Sequence, residues 1–208
     1  MDIDNIKIMS IGGNCRNIPI LGKDRIRGPI DNIQLLGGLS DTKIIFEDSL
    51  VSMVKTETPI QEKRNPTFPG DSDTLYTYSH FQVVHNNPLT DKYLEELEKR
   101  MDNFRNFRKK VEMDPNYYFI YAMSIGDVVL DTQDIKRGFL DGLQYLSQLG
   151  LLHKTIIFGT TCECTRYFYH IKDSEVLKQV PLYIQIDKFF FHDKTLEDQF
   201  HKKLLGIL

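Results

Sequence analysis

Tyr117-Tyr118-Phe119-Ile120-Tyr121-Ala122-Met123 is an apolar run set between two amphipathic stretches. Its reading decides the fold. It has the length of a strand, and a continuous apolar run is what a strand covered on both faces needs. Upstream, Leu94, Leu97, Met101, Phe104, Phe107 and Val111 fall at helical spacing within Thr90–Val111. Glu95 and Lys99, and Glu96 and Arg100, stand four apart in the favourable order. Asp114-Pro115-Asn116 stops that helix. Downstream, Ile135, Phe139, Leu143 and Leu146 line one face of a helix over Asp131–Leu149, and Gly150 ends it. Lys154–Phe158 reads as the next strand. Val176–Val180 leads into Pro181, Leu182–Ile186 is a further strand, and Leu196–Leu205 is the last helix.

Strands alternating with helices imply βαβ units and a parallel sheet. With an N-terminal strand at residues 6–11, the expected fold is α/β: a three-layer sandwich with a mostly parallel central sheet and helices on both faces. One domain, 1–208, accounts for the chain, with a loop insertion at about 58–74 marked by Pro59, Pro66, Pro69 and Gly70. The apolar strand Leu75–Val84 resumes directly after it. Between these parts, Asp31 or Asn32 is placed to cap a helix running to about Leu36 before Gly37-Gly38. Lys43–Phe46 reads as a short strand and Leu50–Val54 as a short helix.

The 208 residues are 41% hydrophobic and 26% charged, an ordinary globular balance, and a net charge of -3 argues against electrostatic binding to nucleic acid. No apolar run approaches the ~20 residues of a membrane span, and the acidic Met1-Asp2-Ile3-Asp4 does not have the shape of a signal peptide. Three cysteines, an odd number, fit reduced thiols in a cytoplasmic compartment.

The chemistry is expected at the end of the first strand. Ile6-Lys7-Ile8 approaches Met9-Ser10-Ile11-Gly12-Gly13-Asn14-Cys15, a strand ended by two glycines with a cysteine just past the turn. In open α/β sheets, sites lie outside the carboxyl ends of the strands. A thiol held there is a nucleophile when something lowers its pKa; otherwise a free cysteine is a small core residue. His85 and His80 are the candidate bases. His85, at the end of a strand beside Asn86 and Asn87, is favoured over His80, which falls inside the strand pattern. If the strands before Cys15 and His85 point the same way, the two side chains meet at one rim. Backbone N–H groups of Gly12 and Gly13, and the amides of Asn14 and Asn86, are candidates to bind an oxyanion or substrate. Asp31 either orients the histidine or caps a helix.

Other clusters carry less. Cys162-Glu163-Cys164 has one residue between its thiols, where zinc sites use two to four, so packing at a strand end is the expectation even with His170 nearby. Asp187, His192 and Asp193 form another acid–imidazole group without a fitting nucleophilic serine. Gly12-Gly13 lacks the further residues of a phosphate loop. Neither metal nor cofactor is expected.

These residues resemble a family of otherwise unknown function described as papain-like cysteine peptidases. Its members open with a strand followed by Ser-Leu-Gly-x-Asn/Asp-Cys, similar to Ser10-Ile11-Gly12-Gly13-Asn14-Cys15 here. They continue with an Arg and Pro-Phe-Asp-Trp; Arg27-Gly28-Pro29-Ile30-Asp31-Asn32 keeps the Pro and the Asp but not the Phe or the Trp. A strand ending in a His-Asp pair follows, similar to Phe81-Gln82-Val83-Val84-His85-Asn86, then a helix with spaced arginines, similar to Arg100 and Arg105, and an apolar strand similar to Tyr118–Tyr121. The resemblance covers about residues 6–123. It implies a divergent member with Cys15 as nucleophile, His85 as general base and Asp31 as a motif residue, acting on a peptide or other amide-containing substrate. The competing expectation is a module that holds a small ligand, a nucleotide or a sugar, at the same rim, or an enzyme descendant that serves as a partner-binding protein.

Overall fold

A computed structural model of the chain describes residues 5–13, 25–26, 28–30, 33–66, 72–123, 133–162, 167–169, 171, 173–186 and 194–207. Its centre is the parallel sheet that the apolar runs require. Strand β1 (Lys7–Gly13) lies between β2 (Arg25–Ile26) and β7 (Tyr117–Ala122). Beyond β7 come β8 (Thr155–Cys162) and β10 (Leu182–Ile186), so the order is β10-β8-β7-β1-β2. These five strands pair in parallel, and β9 (Tyr167–Tyr169) adds an antiparallel partner to β8.

Side-chain alternation divides the core into two. Met9, Ile11, Phe119, Tyr121 and Ile157 point to one face and Ile8, Tyr118, Ile120, Ile156 and Phe158 to the other. The first face is covered by α3 (Asp91–Met113) and α4 (Gln133–Gln148). The second is covered by α6 (Lys194–Ile207), through Phe200 and Leu204. The result is the expected three-layer α/β sandwich with helices on both faces of a mostly parallel sheet. No helix among the described residues is long and apolar enough to cross a membrane.

The segment between β2 and α3 departs from expectation. It forms a second, antiparallel sheet, β3-β6-β5-β4, from β3 (Ile33–Leu35), β4 (Ile60–Lys63), β5 (Thr74–Thr77) and β6 (Phe81–Val83). Where a helix was expected up to Leu36, β3 stands, because Ile33 and Leu35 are both buried at a spacing of two. The insertion at 58–74 holds a strand, β4, whose residues pair with β5. Leu75–Val84 is two strands joined by a tight turn, with Tyr78 N–H bonded to Phe81 O at 2.8 Å. Lys43–Phe46 is one short helix, α1, instead of a strand; α2 (Leu50–Thr56) follows it. A 3-10 segment, Gly38–Thr42, links β3 to α1. The last short helix, α5 (Ser174–Leu177), precedes β10.

Candidate active site at the end of the first strand

Strand β1 runs to Gly13 between β7 and the short edge strand β2. Its register against β7 shifts between Ser10 and Gly12, so an extra residue is accommodated just before the glycines. Gly12 is dictated by packing. A Cβ there would stand 2.6 and 2.7 Å from ring carbons of Tyr121 and 3.0 Å from Leu35 Cδ1. The end of β1 is therefore wedged between β7 and the last residue of β3. Cys15 follows two residues later in the chain.

Of the sequence-predicted site residues, Gly12 and Gly13 lie in β1, whereas Asn14, Cys15 and Asp31 fall outside the described residues. His85 and Asn86 follow β6. That strand belongs to the second sheet and is antiparallel to both its neighbours, so it does not bring His85 to the carboxyl end of a parallel strand beside β1. His85 is half-buried. Its carbonyl accepts the Ser72 N–H at 3.3 Å, and the Arg64 guanidinium donates to the carbonyl of Val84. Cys162 is the last residue of β8. Cys164, His170, Asp187, His192 and Asp193 lie outside the described residues.

The histidine ranked second occupies the more suggestive position. His80 is not inside a strand; it sits in the turn between β5 and β6. Its Nδ1 lies 3.0 Å from Oδ1 of Asp41. The Asp41 side chain is 9% exposed and that of His80 38%, so a buried carboxylate holds a partly exposed imidazole. Asp41 Oδ2 accepts the Gly37 N–H at 2.6 Å, and a Cβ on Gly37 would stand 2.6 Å from that oxygen. Around the turn, Leu36 N–H binds His80 O at 2.9 Å, and Glu57 accepts from Ser79 N–H and Oγ–H at 3.1 and 3.0 Å. Tyr78 stacks on Phe81 with ring centroids 4.6 Å apart. Burial, with the Glu57 carboxylate and Tyr76 adding to it, pushes the Tyr78 phenol up to about 12.

A carboxylate accepts hydrogen bonds and donates none. Against Asp41, the neutral His80 ring therefore carries its proton on Nδ1 and presents Nε2 as an acceptor. Such an arrangement can orient a general base and stabilise the imidazolium it becomes. Sequence reasoning passed over Asp41 because it stands in a stretch without periodicity. The available signal was Gly37 four residues before it, a residue without a side chain where the carboxylate folds back on the backbone. Compared with family models, with curated proteins and with solved structures, the chain matches none of them.

Proposed function

We propose that this protein is a thiol-dependent hydrolase or acyl transferase acting on a peptide, isopeptide or other amide bond in a reducing, cytosolic compartment. Cys15 is the nucleophile and an imidazole of the His80–His85 segment is the general base. The observation that supports this reading is the position of Gly12-Gly13. They end the strand flanked by β2 and β7, at the carboxyl side of a parallel sheet, where α/β folds place their chemistry. The resemblance of Ser10–Cys15 to a cysteine peptidase opening supplies the reaction class.

In this reading the Cys15 proton passes from Sγ to the imidazole, and the thiolate adds to the substrate carbonyl carbon. Backbone N–H groups near Gly13 and Cys15, with the Asn14 amide, take the oxyanion. Collapse of the adduct breaks the C–N bond, and the leaving amine takes the proton from the imidazolium. Water, or a second amine in transfer, then adds to the thioester, gives its proton to the same imidazole and releases the thiol.

The test is competitive labelling of the three thiols with limiting iodoacetamide at pH 7, read by peptide mass mapping. Cys15 is expected to label at least tenfold faster than Cys162 and Cys164, and Cys15→Ser to remove the fast component. Equal, slow labelling of all three in the folded protein would sink the proposal and favour a ligand-binding role for the same rim.

A further inference from the structure

We infer that the outer flank of α4 carries a binding groove for a short, uncharged, extended peptide with an aliphatic side chain. No part of this depends on the thiol chemistry proposed above. The groove has a volume of about 410 Å³, within the ~300–1,000 Å³ of sites that hold small ligands. One wall is a stripe of α4, Leu140, Leu143, Gln144, Ser147 and Gln148, which recur at three and four residues and so share a face. Leu152, in the 3-10 turn Leu152–Lys154, and Gln179, just after α5, complete it. Those two residues come shortly before β8 and β10. The groove therefore lies where the parallel strands begin, opposite the end at which Gly12 and Gly13 stand.

Floor and rim differ in chemistry. Leu143 is buried, and Leu140 and Leu152 are half-buried against the core, so the floor is aliphatic. Gln144, Ser147, Gln148 and Gln179 are exposed and supply a hydroxyl and three primary amides. Among the described residues no charged side chain lines the groove. The charges beside it are committed: Arg137 to Asp141 at 3.9 Å, Lys178 to Glu175 at 2.6 Å, and Lys154 to the carbonyls of Asp114 and Pro115, both at 3.0 Å. A lining of this kind gives an ionic ligand nothing to pair with and makes it give up water. No aromatic ring lines the groove among the described residues, so a nucleobase finds no face to stack on.

The spacing of the amides selects the ligand. Gln144 and Gln148 stand about one helical turn apart, ~6 Å at ~1.5 Å per residue. Along one edge of an extended peptide, outward N–H and C=O groups recur at every second residue, ~6.6 Å. Each glutamine offers both an amide donor and a carbonyl acceptor. The two can therefore bond to alternate residues of one edge while a side chain of the peptide enters the space over the leucines. Gln179 Nε2 donates to Glu175 O at 3.4 Å, which leaves its second N–H and its Oε1 to meet the ligand.

The experiment is an NMR titration of the isotope-labelled full chain with acetyl-Ala-Leu-Ala-amide, read at the side-chain amides of Gln144, Gln148 and Gln179. Saturable shifts of these amides are expected. The double variant Gln144→Ala/Gln148→Ala is expected to bind at least about threefold more weakly, the effect of losing a neutral hydrogen bond. Both positions are exposed; far-UV circular dichroism and the urea midpoint establish that the variant is folded, and the single variants serve if it is not. Acetyl-Ala-Asp-Ala-amide is expected to bind at least about threefold more weakly than the leucine peptide, since its carboxylate meets the aliphatic floor. Absence of saturable shifts at the glutamines, equal binding of the aspartate peptide, or a folded double variant that binds as wild type does would each overturn the inference. Glucose that shifts the same amides where the peptide does not would overturn it in favour of a sugar site.

Discussion

Close approaches at single residues decide much of how this molecule is assembled. Gly142 lies in α4 against the backbone of Leu39, and a Cβ there would meet the Leu39 carbonyl carbon, Cγ and Cβ at 2.7 to 2.8 Å. Gly206, in the last turn of α6, has nothing within 4 Å of where its Cβ would be. Replacing a helical glycine by alanine gains up to ~1 kcal/mol of helix propensity, while overpacking costs ~1–3 kcal/mol. Gly142→Ala is therefore expected to destabilise by up to ~2 kcal/mol, and Gly206→Ala to stabilise by a few tenths to ~1 kcal/mol, both read from urea midpoints. At this scale the sequence is only partly legible. Gly12 and Gly13 announce the end of a strand because glycines after an apolar run have few other uses. The Asp41–His80 contact is hidden, because 39 positions separate its members and each looks ordinary where it stands.

Among the elements, long ones are legible and short ones are not. Helix α3 extends over 23 residues with Thr90 as its cap, its hydroxyl accepting the Tyr93 N–H at 3.3 Å; Leu97, Met101, Phe104, Phe107 and Val111 are buried as predicted, while in the first turn Tyr93 is buried and the predicted Leu94 only half-buried. Strand β4 escapes notice because all four of its residues are exposed and no alternation survives. The hairpin of β5 and β6 escapes because its turn, Tyr78-Ser79-His80, holds none of the glycine, proline or asparagine that usually mark one; hydrogen bonds donated by Ser79 to the Glu57 carboxylate hold it instead. Helix α5 shows how an element of only 4 residues is held. Asp173 accepts from the N–H groups of Glu175 and Val176 at 2.9 and 3.3 Å and pairs with Lys136 of α4. The Lys136 bond, followed by those N–H groups, holds its carboxyl below the ordinary carboxylate range. A lowered folded value means that this contribution is complete above the ordinary ~3.9 and disappears as pH falls from there through the lower folded value. Asp173→Asn is expected to be less stable than wild type at pH 7, with the difference closing below about pH 3.9; urea midpoints from pH 7 to pH 2.5 check it.

For the whole molecule, the sheet separates two cores that depend on different helices. On the α6 side, Phe200 is fully buried and meets Phe158 edge-on, with centroids 5.6 Å apart. Phe200→Ala is expected to cost ~3–5 kcal/mol in chemical denaturation. The parallel architecture could be read from the sequence because its strands are continuous apolar runs with helices between them. The second sheet could not, since strands of three and four residues give too few positions for a period to declare itself.

The pairing of β1 has a consequence for the birth of the chain. Lys7 pairs with Tyr117, and at the ~5–20 residues per second of synthesis that partner arrives roughly 5–20 s after β1 leaves the peptidyl-transferase centre. Over that interval Met9 and Ile11, fully buried in the finished protein, have no completed sheet to enter. Strand β1 thus stands to gain from a ribosome-bound chaperone, and is at risk when translation stalls before residue 122.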